Sequence, residues 1–338
     1  MGRETKVKKQ EALFFDNGKK RGAPKRKKRQ TEKVDVNLDN ILKKINILKK
    51  EKKAIILAHN YQPLDIQKIA DVVGDSFQLS KLASETDSDI IVFCGVKFMA
   101  ETAKLLNPKS KVLLSDGEAG CPMADMIEAK DLKIFKEKHP DHLIVCYINS
   151  SVEVKALSDI CVTSSNAVRI VGKLPPNKPI MFVPDQNLGQ YIQTKTNRKI
   201  DVWDGMCPIH HLFLTVRDVY QAKLMYPKHA VIVHPECMPS VVEIADFVGS
   251  TNELAEFTET HDRVIIGTEI GLIKMLQKKY PMKSIQTLSE KAVCVNMKKT
   301  SLNDVLDTLQ YELNEIKIPE NIVKNALIPI QKMLDMNN

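Results

Sequence analysis

ADVVGDSFQLSKL, residues 70–82, reads as a short apolar run, a turn bearing a hydroxyl, and a helix. The same design recurs in SDICVTSSNAVRIV, residues 158–171, and in ADFVGSTNELAEF, residues 245–257. Aligning the three sets Asp71 on Asp159 and Asp246, at separations of 88 and 87, and Ser76, Ser164 and Thr251 fall at the same two separations. Upstream, the apolar runs AIILAHNYQ, LIVCYINSS and AVIVHPEC keep the shift, pairing His59 with Tyr147 and His234, and Tyr61 with Asn149 and Glu236. Downstream, Cys121, Cys207 and Cys294 are spaced by 86 and 87. Five columns moving together indicate a triplicated unit, too long for a solenoid repeat and right for a small domain.

Within the first unit the pattern predicts strands at 54–58, 71–73, 90–94 and 111–114, with helices at 64–69, 77–83 and 98–106. The strands are short continuous apolar runs, as expected where helices cover both faces of a parallel sheet. The fold class is therefore α/β: three homologous three-layer α/β/α domains with small parallel sheets, in a pseudo-three-fold arrangement around a central active site. The expected boundaries are a tail at 1–36, repeats at 37–121, 122–207 and 208–294, and a C-terminal helical segment at 295–338.

The formal net charge of +8 over 338 residues is concentrated at one end. Residues 1–34 hold 13 Lys and Arg against Glu4, Glu11, Asp16 and Glu32, a balance of +9, so the remainder is near neutral at −1. Such a segment buries too little apolar surface to offset its ordering entropy, and a disordered basic tail is expected, with an accessory contact to nucleic acid or an acidic partner as its alternative role. No run approaches the ~20 apolar residues of a membrane helix, and no signal-peptide pattern opens the sequence, so a soluble cytoplasmic protein without membrane contact is expected. The seven cysteines are an odd number, widely spread, which argues against a disulfide framework.

In open parallel sheets ligands bind beyond the carboxyl ends of the strands. His59 and Tyr61, Tyr147 and Asn149, and His234 and Glu236 all fall there. Ser76, Ser164 and Thr251 precede predicted helices, where free N–H groups favour anions; read singly, each is an N-cap. A free thiol is ordinarily a small buried hydrophobe, the reading given to Cys94, Cys146 and Cys161. Cys121, Cys207 and Cys294 stand apart because the repeat would bring them to one point. In MCPIHH, residues 206–211, the adjacent histidines fit no common zinc spacing, so the partners of Cys207 are sought in the other repeats. Three soft thiolates suit a 4Fe-4S cluster with one open iron, with a three-ligand zinc site as the rival.

These residues resemble the quinolinate synthase family. The resemblance is carried by AHNYQ (58–62), GDSFQLS (74–80), GVKFMAETAKLLNP (95–108), GCPMAD (120–125), YINSS (147–151), TSSNA (163–167), PDQNLG (184–189), MCPIHH (206–211), HPEC (234–237), GST (249–251), GTEIG (267–271) and CVNMKKTSL (294–302). It implies three α/β domains, a 4Fe-4S cluster on Cys121, Cys207 and Cys294, and condensation of iminoaspartate with dihydroxyacetone phosphate to quinolinate, with loss of phosphate and two waters, in NAD biosynthesis. It also implies substrate contacts at His59, Tyr61, Ser76, Tyr147, Asn149, Ser164, His210, His234, Glu236 and Thr251, of which His210 alone lies outside the aligned columns. Glu236, Tyr61 and His59 are the candidate catalytic groups, and an L-aspartate-oxidising enzyme is a candidate source of the imine. His211 has no assigned duty.

A zinc-dependent lyase or hydrolase using the same three thiolates is the alternative function. A dinucleotide-binding oxidoreductase is disfavoured, since no G-x-G-x-x-G opens a helix. Deleting residues 1–34 is expected to leave turnover unchanged while abolishing any salt-sensitive retention on nucleic acid, which a steady-state assay and a salt titration would read.

Overall fold

The computed structural model describes residues 38–337. The basic tail expected at 1–36 lies outside them. Each repeat opens with a helix that leads into its first strand: α1 (Leu38–Glu51), α5 (Ala129–Lys138) and α10 (Val216–Met225). Repeat one continues as β1 (Ala54–His59), α2 (Leu64–Ile69), β2 (Val72–Gly74), α3 (Ser76–Glu85), β3 (Ile90–Cys94), α4 (Lys97–Leu106) and β4 (Lys111–Leu114). Repeat two runs β5 (Leu143–Tyr147), α6 (Val152–Ala156), β6 (Ile160–Val162), α7 (Ala167–Lys173), β7 (Ile180–Val183), α8 (Gln186–Thr196) and β8 (Ile200–Val202), and α9 (Pro208–Phe213) follows Cys207 at the start of the next segment. Repeat three runs β9 (Ala230–Val233), α11 (Pro239–Ile244), β10 (Phe247–Val248), α12 (Thr251–Thr260), β11 (Arg263–Gly267), α13 (Ile270–Lys279) and β12 (Ser284–Thr287).

All three sheets are parallel and share one strand order, second-first-third-fourth. The order follows from chain length: the short α2, α6 and α11 return the second strand to one side of the first, and a longer helix carries the chain across to the third. Central strands such as Ile90–Cys94 are buried along their whole length, which accounts for their unbroken apolar runs.

The aligned aspartates have a structural task. Asp71 accepts from Ile56 N–H at 2.7 Å while its own N–H donates to Ile56 C=O at 2.9 Å. Asp159 makes the same pair with Ile144 (2.7 and 2.9 Å), and Asp246 with Val231 (2.8 and 2.8 Å). Each aspartate, placed one residue before the short second strand rather than within it, clamps that strand's register against the first. Lys49 and Lys223, equivalent residues of α1 and α10, pair with Asp71 and Asp246 at 2.6 and 2.9 Å. The clamp matters because a two- or three-residue strand has few ladder bonds of its own.

One continuous apolar core runs through repeats one and two and into the last helix, and repeat three has separate cores. The C-terminal helices α14 (Leu302–Tyr311) and α15 (Glu320–Asn337) return over the first two repeats: α14 packs on α1 and β3, α15 on α6 and β6. Glu312 ends α14 in the left-handed region (φ 52°) and bridges Lys52 at 2.7 Å and Lys111 at 2.5 Å. Among the described residues no helix is long and apolar enough to cross a membrane.

Replacing Asp159 with Ala is expected to lower stability by about 1–2 kcal/mol, the cost of freeing a backbone donor. Single losses at Asp71, Asp159 and Asp246 should add, since they lie in separate sheets. Urea unfolding of the single and triple variants reads both.

Candidate active site

A repeated backbone bond places the cysteines. The first helical residue after each third strand donates its N–H to the carbonyl two residues before a cysteine: Lys97 to Ala119 (2.8 Å), Gln186 to Gly205 (2.8 Å) and Ile270 to Ala292 (3.0 Å). Initial helical N–H groups have no intrahelical acceptor, so the cysteine loop satisfies one at each helix start. Cys121, Cys207 and Cys294 thereby reach the wall of one cavity, and the hydroxyl column and both strand-end columns read from the sequence reach it too. Cys94, Cys146, Cys161 and Cys237 are fully buried core residues instead.

Burial pushes the three thiols up, Cys121 to about 12, Cys294 to about 11, and Cys207 also well above the ordinary thiol value. Backbone N–H groups of the following turn act in the opposite sense at each: Ala124 on Cys121, His210 on Cys207, Met297 on Cys294. A repeated anion-favouring turn in a desolvated wall suits sulfurs that become thiolates only when a cation arrives.

His59 ends β1 and His234 follows β9. In both, the backbone N–H two residues on donates to Nδ1: Tyr61 to His59 at 3.1 Å, Glu236 to His234 at 3.3 Å. Nδ1 is therefore an acceptor, which assigns the proton to Nε2. Burial holds both rings far below the usual histidine value, at about 3, so each is a neutral donor.

Glu236 is the hub. Its carboxylate accepts from Tyr147 Oη at 2.6 Å and lies 2.7 Å from His210 Nδ1. Burial alone would raise its pKa, but these hydrogen bonds and the nearby His234 and His210 hold it below the carboxylate range. His210, whose ring stacks on His234 at 4.6 Å, also reaches Cys207 Sγ at 3.2 Å. Its Nε2 meets Thr268 Oγ1 at 2.9 Å, and Thr268 meets Tyr61 Oη at 2.7 Å. One hydrogen-bonded chain thus links Tyr61, Thr268, His210, Glu236 and Tyr147. His211 stands behind it, 3.0 Å from Asn187 Nδ2, which donates to Glu236 C=O at 2.8 Å.

The hydroxyl column lines the cavity, and none of its members is a helix N-cap. The N-caps of α3 and α12 are Asp75 and Ser250, each closing a capping box. Ser76 and Thr251 are first helical residues, relieved of capping and lining the cavity. Ser164 lies three residues before α7, in a turn closed by the Asn166 side chain accepting from Thr163 N–H at 2.8 Å. Asn149 Oδ1 is buried and has no donor among the described residues.

Sequence reading missed Thr268, Asp185 and Glu269. In the repeat frame Thr268 is equivalent to Gly95 and Pro184, and Glu269 to Asp185 and Val96; these columns diverge in residue type, so the shift that exposed the others hides them.

The family described as Quinolinate synthetase A protein matches residues 43–335. The chain belongs to the quinolinate synthase family. A protein named quinolinate synthase from Caldicellulosiruptor saccharolyticus is 48% identical over 305 residues, 89% of this chain and 100% of that one. Those so named from Sulfurihydrogenibium sp. (48% over 307 residues, 88% and 99%) and Aquifex aeolicus (46% over 318 residues, 92% and 98%) are similar to it along nearly their whole lengths. The chain is accordingly an enzyme of the quinolinate synthase family.

Among the described residues, one group of three metal-ligating side chains has its ligand atoms all within 4.8 Å: Cys207, His210 and Glu236. His210, not His211, is thus the histidine beside Cys207. The three aligned cysteines form no such group, although they line one cavity. Three thiolates on one tetrahedral zinc, with Zn–S near 2.3 Å, would lie about 3.8 Å apart.

For this quinolinate synthase family member a pH dependence follows from His59 and His234. Both titrate at about 3 when folded and near 6.5 when unfolded. Between those values the unfolded chain binds protons that the folded chain does not, so stability falls as pH is lowered through that window. The urea midpoint of metal-free protein is expected to drop from about pH 7 to about pH 5, and less so in a His59→Asn, His234→Asn double variant.

Proposed function

We propose that the protein condenses iminoaspartate with dihydroxyacetone phosphate to quinolinate, releasing phosphate and two waters, as a cytoplasmic step of NAD biosynthesis. The observation that carries this reading is the convergence of Cys121, Cys207 and Cys294 with the strand-end and hydroxyl columns on one cavity. The three cysteines would hold a 4Fe-4S cluster, which when bound supplies an iron open to Lewis-acid chemistry.

The protein's own groups suit the proposed substrates. No Lys or Arg is among the residues lining the cavity. Carboxylate and phosphate oxygens would be met by neutral donors: Nε2–H of His59 and His234, and the hydroxyls of Ser76, Ser164 and Thr251. The orphan Asn149 Oδ1 calls for a ligand that brings a donor, such as the triose hydroxyl or the imine N–H. Glu236, ionised and at the cavity wall, is the group placed to take a carbon-bound proton, and Tyr147 and His210 fix its two oxygens. Tyr61, held through Thr268, faces the cavity as the second proton-handling group. His59 orients and donates beside it. An L-aspartate-oxidising enzyme would supply the imine.

A zinc-dependent lyase or hydrolase on the same three thiolates is the alternative reading. Anaerobic assay with the two substrates tests the choice. Wild type is expected to be brown, to contain iron and sulfide, and to form quinolinate; Cys207→Ser should lose both colour and product. Glu236→Gln should stay coloured and lose about 10²–10⁴-fold in kcat, the usual worth of a general base. Full activity in iron-free protein overturns the proposal.

A further inference from the structure

Two fully buried carboxylates stand at repeat-equivalent positions, the N-caps of α8 and α13, Glu269 in the cavity wall and Asp185 outside its lining. Asp185 Oδ2 accepts from the backbone N–H of Cys207 at 2.9 Å, and its Oδ1 from Leu188 N–H at 2.7 Å. Glu269 Oε1 accepts from the backbone N–H of Cys294 at 3.1 Å, and its Oε2 from Gly271 N–H at 2.7 Å, with Lys298 Nζ 2.8 Å from Oε1. Each carboxylate thus ties a helix start to the cysteine itself, one bond beyond the carbonyl contact common to all three repeats. Burying a carboxylate is costly unless its oxygens are satisfied, and here backbone donors satisfy them.

Repeat one departs from this. Its N-cap at the same position is Val96, which accepts nothing through its side chain. The N–H of Cys121 has no partner among the described residues. A Cβ on Gly120 would meet nothing within 4 Å, and the equivalent positions before Cys207 and Cys294 carry the side chains of Met206 and Val293. Cys207 and Cys294 are therefore each held at their own N–H by a buried carboxylate and Cys121 is not, although Lys299 Nζ donates to Glu118 C=O within its loop at 2.5 Å.

We propose that Asp185 and Glu269 are positioning residues that lock Cys207 and Cys294, and that the loop of Cys121, which lacks this carboxylate anchor, is the side from which the metal centre is loaded and lost. The metal centre belongs to the function proposed above; the anchoring is a property of the chain alone.

Amide hydrogen exchange on the metal-free full-length protein reads the anchors directly. The Cys207 and Cys294 amides are expected to exchange at least about tenfold more slowly than that of Cys121, the worth of one buried hydrogen bond. Asp185→Asn, nearly isosteric but able to accept at one oxygen only, should release the Cys207 amide selectively, and Glu269→Gln that of Cys294. In anaerobically loaded protein, iron release to a chelator should be about tenfold faster in both variants. Gly120→Ala, which stiffens the Cys121 loop without a clash, should slow release about two- to fivefold. Equal exchange of the three cysteine amides in wild type overturns the proposal even if a variant fails to fold, and so does iron release unaltered by all three substitutions. A protein that takes up no iron refutes the metal centre, while the exchange pattern still decides the anchoring.

Discussion

Three backbone hydrogen bonds, from Lys97 to Ala119, Gln186 to Gly205 and Ile270 to Ala292, determine where the reactive side chains of this protein stand. They convert an unavoidable feature of helices, donors without acceptors at the first turn, into a means of presenting a loop. Because each helix follows the third strand of its sheet, the loop is delivered to the carboxyl edge, where His59, Tyr147 and His234 also emerge. The sheets would hold together without these bonds; the cysteines would have no reason to face one another.

The cavity built in this way is unusual in its electrostatics. Its wall carries the carboxylates Asp75, Glu236 and Glu269 and no Lys or Arg, although the proposed ligands are anionic. Neutral imidazoles and hydroxyls bind oxygens well only when water is excluded and the donors are fixed beforehand. That condition explains why the local turns around His59 and His234 commit Nδ1 to the backbone, leaving a single donor aimed inward. It also explains why the capping of α3 and α12 falls to Asp75 and Ser250, which frees the next hydroxyl for a ligand.

Much of this was legible in the sequence because a repeated physical need leaves a repeated residue. The strand and helix limits of repeat one, the three cysteines and the strand-end columns all follow from one shift of about 87 residues. The aspartate column was visible too, but its task was not: an aspartate clamping a register looks, in sequence, like one poised for chemistry. Ser164 was misplaced relative to its helix because Asn166 closes a turn that the alignment with Gly74 and Gly249 does not announce. Thr268, Asp185 and Glu269 stayed hidden because their columns changed residue type as the repeats took on different tasks.

Each repeat brings one sulfur to the cavity, and the third repeat has cores of its own, with Tyr61 of the first repeat packed on one and Cys207 of the second on the other. Ligation of the proposed metal centre by all three would add a further tie between the repeats. A transient opening in any one repeat would then withdraw one of the three protein ligands, so the lifetime of that centre would be governed by the least stable copy and not by the average of the three.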